Sequence, residues 1–231
     1  MKTPLRSLFL LVAALVLPAV VHAAAFEGKV RMKITAAGSK SAHEMTYSSK
    51  AGLLRTEIDG KGGESFAMIM NHAKREMIIL MPEQKMYMVR PMPAMNELAG
   101  GDDGADDVKL EKTSETEKIL GYTATKYIAT SKEGVTDMWL TEELGSFMGF
   151  DASANANPMG GRPKAPAAWE KALMGKEFFP LRIVSRGKRN KEEFRLDVVA
   201  IEKQSLPDSV FAPPAGFQKF DMGAMMKGFG G

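Results

Sequence analysis

Phe26-Glu27-Gly28-Lys29-Val30-Arg31-Met32-Lys33-Ile34-Thr35 is the stretch whose reading decides the fold. Phe26, Gly28, Val30, Met32 and Ile34 fall on one side, and Glu27, Lys29, Arg31, Lys33 and Thr35 on the other. A period of two over ten residues is that of a strand with one dry and one wet face. Strands of this kind build antiparallel sheets with a single buried side.

Downstream, the pattern repeats in short pieces. Gly38 marks a turn, and His43 to Ser49 reads as the next strand. Leu54 to Ile58 follows after Lys50-Ala51-Gly52. Asp59-Gly60 and Gly62-Gly63 supply hairpin chemistry. Phe66 to Met70, Glu76 to Met81 and Lys85 to Val89 complete a meander, which Pro91 and Pro93 stop. Gly100 to Asp107 carries four Asp and three Gly with nothing to bury, and the segment near 96–107 is expected to be a mobile loop. Val108 to Ser114, Tyr122 to Thr130 and Val135 to Thr141 resume the strands, with a short helix expected over Glu142 to Phe150. The Ala-, Asn-, Gly- and Pro-rich stretch 151–166 reads as a second loop. Pro166 and Gly175 suit the start and end of a helix over Ala167 to Met174. Phe179 to Arg186 and Glu193 to Glu202 are the last strands, joined by the basic turn Gly187-Lys188-Arg189-Asn190-Lys191. The Gly- and Met-rich tail 221–231 is expected to be flexible.

Upstream of Phe26, Lys2 and Arg6 precede an apolar run from Leu8 to Val21, which ends in Ala23, Ala24 and Ala25. That is the build of a secretory signal, with cleavage expected near Ala23 or Ala25. The run is shorter than the ~20 residues that span a bilayer. Residues 1–25 are therefore expected to be removed, leaving 26–220 as a single β-rich domain in the periplasm or the medium. The chain of 231 residues is 45% hydrophobic and 26% charged, an ordinary globular mixture. With 31 Lys and Arg against 28 Asp and Glu, nothing announces a nucleic-acid binder. The absence of cysteine excludes disulfides, thiolate metal sites and thiol nucleophiles.

About eleven mostly antiparallel strands with one wet and one dry face must curl around something, with helices and loops capping the concave side. The opening Phe26-Glu27-Gly28-Lys29-Val30 and Thr46-Tyr47-Ser48-Ser49-Lys50-Ala51-Gly52-Leu53-Leu54-Arg55 resemble a family of exported bacterial proteins, the domain of unknown function numbered 4412. Met81-Pro82-Glu83-Gln84-Lys85-Met86-Tyr87-Met88, Ile119 to Tyr127, Met138-Trp139-Leu140 and Phe211 to Phe217 continue the match. The family is similar in layout to the periplasmic lipoprotein carriers. The resemblance implies a half-open β-barrel with a helical lid over an apolar cavity, and the handling of lipid or lipoprotein. It brings no catalytic residues.

Methionine is the unusual ingredient, at 18 residues. Met68, Met70, Met77, Met81, Met86, Met88, Met92 and Met95 crowd into one part of the chain. Core packing, a deformable lining for lipid tails and a thioether site for copper(I) built from Met68, Met70, Met86 and Met88 all fit this pattern. Val30, Met32, Met68, Met70, Met86, Met88 and Trp139 are the candidate lining of an apolar cavity. His43 and His72 have no partner at metal-ligand spacing. Gly145-Ser146-Phe147-Met148-Gly149 lacks the setting of a nucleophile elbow. No enzyme and no cofactor are expected. Arg186, Lys188, Arg189 and Lys191 are candidates for contact with anionic lipid headgroups or an acidic partner. The expected function is non-catalytic binding of a lipid, acyl chain or lipoprotein, with copper(I) binding or a ligand-free envelope interaction as alternatives.

Overall fold

The computed structural model describes residues 26–36, 41–59, 65–92, 108–147, 149, 167–173, 175–187 and 189–220. The expected signal peptide, the loops at 96–107 and 151–166, the tail from 221 and Met95 all lie outside the described residues.

The chain forms one sheet. Its strands are β1 (Gly28–Ala36), β2 (His43–Lys50), β3 (Leu53–Asp59), β4 (Ser65–Asn71), β5 (Glu76–Met81) and β6 (Met86–Pro91). They continue as β7 (Lys109–Ile119), β8 (Tyr122–Thr130), β9 (Gly134–Thr141), β10 (Phe179–Gly187), β11 (Glu192–Lys203) and β12 (Gln218–Lys219). The spatial order is β12-β6-β5-β4-β3-β2-β1-β11-β10-β9-β8-β7, so two meanders meet where β1 pairs with β11. Every pairing is antiparallel except that of the two-residue β12 with β6. The sheet is a curled, unclosed half-barrel, the architecture its alternation called for.

Tight turns hold the hairpins in register. Ala51-Gly52 and Leu120-Gly121 each place both central residues at positive φ, as in a type I′ turn, whose twist matches that of the flanking strands. Bulges between Arg31 and Met32, between Pro180 and Arg182, and near Thr113 to Glu115 add local bend.

Helix α1 (Ala168–Leu173) packs Trp169 and Leu173 into the core, and Gly175 at φ 71° follows it. The helix expected over Glu142 to Phe150 does not form across the described Glu142 to Phe147. Gly145 takes φ 67°, the left-handed region that ends a helical turn, and the Phe147 amide donates to the Phe178 carbonyl instead. The buried Leu144 and Phe147 thus reach the core from a loop.

The two faces of the sheet are covered differently. Inside the curl lies the main core, from Phe26 and Val30 through Met138 to Leu196 and Val198. On the convex side a second, smaller core joins Ala67, Ile69 and Leu80 to Leu206 and Phe211. This second core exists because the chain after β11 runs back as a strap across the outside of β3 to β6. The strap includes a single 3-10 turn at Asp208–Phe211 and ends in β12.

Candidate functional site

The concave floor follows from the register. Met88 stands opposite Ile79, Ile79 opposite Met68, Met68 opposite Thr56, Thr56 opposite Tyr47, and Tyr47 opposite Val30. Residues directly opposite share a face, so this is one transverse row across six strands. A parallel row brings Met45 against Met32 and Ile58, and Met70 faces Met77 across β4 and β5. Val30, Met32, Met68 and Met70 are 0% exposed and Met88 6%. Met86 shares the face by alternation with Met88 and is half-buried at the β12 side.

Trp139 departs from this set. Thr136, Met138 and Leu140 alternate as buried positions of β9, with Thr141 also buried at its end, so Trp139 points to the convex side. There its ring lies beneath the Lys126 ammonium at 5.5 Å and the Arg182 guanidinium at 5.3 Å, a cation–π sandwich. Met68 and Met70 on β4 are separated from Met86 and Met88 on β6 by the whole of β5. A strand on each side of β5 sets the backbones about 9–10 Å apart, so the sheet does not make these four thioethers neighbours. Among the described residues no group of three or more His, Cys, Asp or Glu is placed to hold a metal.

The cover over the floor is aromatic. Tyr47 stacks on Phe147 at 5.5 Å and meets Phe179 edge-on at 5.7 Å. Phe147 continues to Trp169 of α1 at 6.4 Å, and Trp169 stacks on Phe194 of β11 at 5.8 Å. Tyr47 was legible as a core residue from its alternation with Met45. Phe147 and Phe178 come from irregular segments, where no period marks them.

Arg90, Lys112 and Lys203 fall on this face by register, Lys203 opposite Gly28 with its Nζ 5.2 Å from the Tyr122 ring centroid. Arg90 stands opposite Met77, and its Nε donates to the Met88 Sδ at 3.2 Å. Lys112 stands opposite Tyr127, its Nζ 5.9 Å from the ring centroid. Sequence reading passed over them, because a charged side chain in a strand looks like an ordinary outward position.

The convex charges have partners. Arg182 reaches Glu117 at 2.9 Å and Asp197 at 3.0 Å, and Lys126 reaches Glu115 at 3.3 Å. Arg186, one of the candidates for an anionic surface, is held by Asp137 at 2.8 Å. Arg189 and Lys191 are exposed at the hairpin tip, and Lys188 lies outside the described residues. Arg195 grips Glu192 through two 2.8 Å bonds, which hold that carboxyl below its ordinary pKa and raise that of the guanidinium.

A second polar cluster fixes the strap. Glu27 accepts the Leu206 amide at 2.8 Å and the Ser205 hydroxyl at 3.1 Å, and the amide bond above all lowers its pKa. Lys50 donates to the Leu206 carbonyl and pairs with Asp208 at 2.9 Å, and the Asp208 bond raises its pKa. Arg55 adds a bond to the Val210 carbonyl.

The model of the family described as domain of unknown function (DUF4412) matches residues 26–217. The chain belongs to this family. The matched span runs from the start of the domain through the strap, so the strap is part of the family's unit. No curated protein matches the chain. Among solved structures, it is similar to an uncharacterized conserved protein from Thermus thermophilus, at 13% identity and a TM-score of 0.47, over 84% of this chain and 90% of that one. The MucA/MucB complex of Pseudomonas aeruginosa aligns at 13% and 0.42, over 81% of this chain and 55% of that one. A putative outer membrane lipoprotein-sorting protein domain from Vibrio parahaemolyticus aligns at 10% and 0.35, over 80% and 88%. At these identities none of the likenesses extends to function.

Proposed function

We propose that this DUF4412 protein is a non-catalytic binding protein, acting after export, that holds a lipid, an acyl chain or the acylated end of a lipoprotein against the concave face of its half-barrel. The observation that carries the reading is the make-up of that face. Met32, Met45, Met68, Met70, Met77, Met88 and Met138 are all buried in one core. Methionine is unbranched and polarizable, so a floor built from it reshapes around an irregular chain at little cost in rotamer strain. The cover favours the same reading. α1 has six residues, far below the ~12–15 at which a helix begins to hold by itself, so it stays in place through its contacts. An acyl chain that takes over the contacts of Trp169 and Leu173 displaces little structure.

Uptake of a fluorescent long-chain fatty acid tests the reading. Met88→Asp places a charge on the floor beside the sheet margin and should reduce uptake at least about tenfold. Met88→Leu keeps the floor apolar and should retain it, and circular dichroism verifies the fold of both. Unchanged uptake in folded Met88→Asp would remove the concave face as the binding surface.

A further inference from the structure

Strand β2 brings a histidine onto the methionine face. His43, Met45, Tyr47 and Ser49 alternate along it, and Met45 and Tyr47 are buried in the main core. Glu44 and Thr46 alternate with them, and Glu44 pairs with Lys33 on the convex side at 3.7 Å. The His43 side chain therefore lies on the concave face, half-buried, two residues before Met45. Among the described residues no hydrogen bond or ion pair engages its imidazole.

Pairing with β1 completes a set of donors. Ile34 stands opposite His43, Lys33 opposite Glu44, and Met32 opposite Met45. Directly opposite residues hold their Cβ atoms about 5 Å apart, and diagonal ones lie about 7–8 Å apart, within reach of long side chains. Met32 thus faces Met45 directly and His43 on the diagonal, while His43 and Met45 are about 7 Å apart along β2. One imidazole and two thioethers mark the corners of a small triangle. The residues paired around it are apolar, with Ile58 beside Met45, Val198 beside Met32 and Leu196 beside Ile34. A search for a second imidazole, a thiol or a carboxylate at ligand spacing misses this set, because its other members are methionines and one sits on another strand.

We infer that His43, Met45 and Met32 form a site for a soft monovalent cation, copper(I), held by one imidazole and two thioethers. Such donors select copper(I) over magnesium and calcium, which require oxygen, and over zinc, whose usual thiolates this cysteine-free chain lacks. All three ligands are neutral, so a monovalent ion brings one charge into apolar surroundings where a divalent ion would bring two. Each methionine has three rotatable bonds, which lets both sulfurs turn toward one ion while the strands stay in register. The half-buried His43 gives the ion its way in, and Met32 at 0% and Met45 at 3% exposed close the site from behind. The site is independent of acyl binding, in which His43 has no part.

Competition for copper(I) with the coloured chelator bicinchoninate, under anaerobic reducing conditions, tests the site. The purified protein should withdraw copper(I) from the chelator, and zinc(II) in equal amount should not return it. His43→Ala and Met45→Leu should each weaken binding at least about tenfold, since even the loss of a group that only orients a metal ligand has an effect of that size. Met92→Leu, beyond the far end of β6, should leave binding unchanged. Leucine conserves the volume of methionine in the core, and circular dichroism verifies the fold of each variant. Failure of the folded, unaltered protein to withdraw copper(I) would overturn the site and leave the acyl reading standing. Displacement by an equal amount of zinc(II) would overturn the choice of a soft ion. Full affinity in a folded double variant, His43→Ala with Met45→Leu, would overturn the assignment to these residues, because other methionines would then hold the ion.

Discussion

The convex face of the sheet has two halves that solve the same problem in opposite ways. Over β3 to β6 it is apolar, with Ala67, Ile69 and Leu80 sealed beneath Leu206 and Phe211 of the strap. Over β7 to β11 it faces water and carries a ladder of ion pairs around Arg182, Arg186 and Trp139. The difference teaches where rigidity resides. Burial on both sides fixes the half that holds most of the methionine floor, whereas the other half relies on pairs that individually contribute little in water. A floor proposed to reshape around an acyl chain is thus backed by a wall sealed on both sides.

The comparison breaks most visibly by placing one charge on each half. Ile69→Asp strands a carboxylate under the strap and should cost about 3–5 kcal/mol in urea unfolding, whereas Val135→Asp, on the exposed side of β9, should stay within about 0.5 kcal/mol. Equal effects would mean that the strap does not seal its half. Thinning the seal comes next. Phe211→Ala removes the largest side chain the strap buries, and a loss of about 3 kcal/mol is expected.

The ladder should respond less. Arg182→Ala removes two ion pairs and one face of the Trp139 sandwich, yet these groups are partly solvated, and about 1 kcal/mol or less is expected, shrinking further in high salt. A loss as large as that of Phe211→Ala would reverse the ranking of the halves.

The smallest effect concerns pH. The Glu27 carboxyl is held below its ordinary pKa in the folded chain, so its contribution is present above about pH 4.3, the ordinary glutamate value, and fades as pH falls through the lowered one. Lys50 is raised, so its contribution is full below about pH 10.4 and fades as pH rises through the folded value. The clamp on the strap should therefore be constant through neutral pH and weaken at both extremes. In melting curves from pH 3 to 7, Glu27→Gln should show a shallower fall in Tm than the parent. Parallel curves would remove Glu27 from the clamp.

Much of this was legible in the chain and some was not, for physical reasons. Alternation from Phe26 to Thr35 fixed the face of β1, and the strand from Tyr122 to Thr130 has the bounds that its residues indicated. The strap escaped notice because β12 has two residues and the 3-10 turn four, too short for any period to register. Its trace lay elsewhere. Phe66-Ala67-Met68-Ile69-Met70 and Met77-Ile78-Ile79-Leu80 are apolar without alternation, and such runs mark strands buried on both faces. A cover for the convex side was thus demanded by β4 and β5 before any cover was visible. Trp139 escaped for the converse reason. An aromatic residue between Met138 and Leu140 reads as core, and only the neighbouring strands reveal that Lys126 and Arg182 enclose it. Within the site, the methionines were legible by spacing, whereas the cover from Phe147 and Phe178 depends on loops that carry no period.

The central claim is that the methionine floor receives an acyl chain. Carbon-13 labelling of the methionine methyl groups reads that floor directly, since Met32, Met45, Met68, Met70, Met77 and Met88 lie on it. Titration with dodecanoate should shift these resonances together and saturably. Saturable binding of dodecanoate that leaves all six resonances in place would contradict the account, because the ligand would then occupy some other surface.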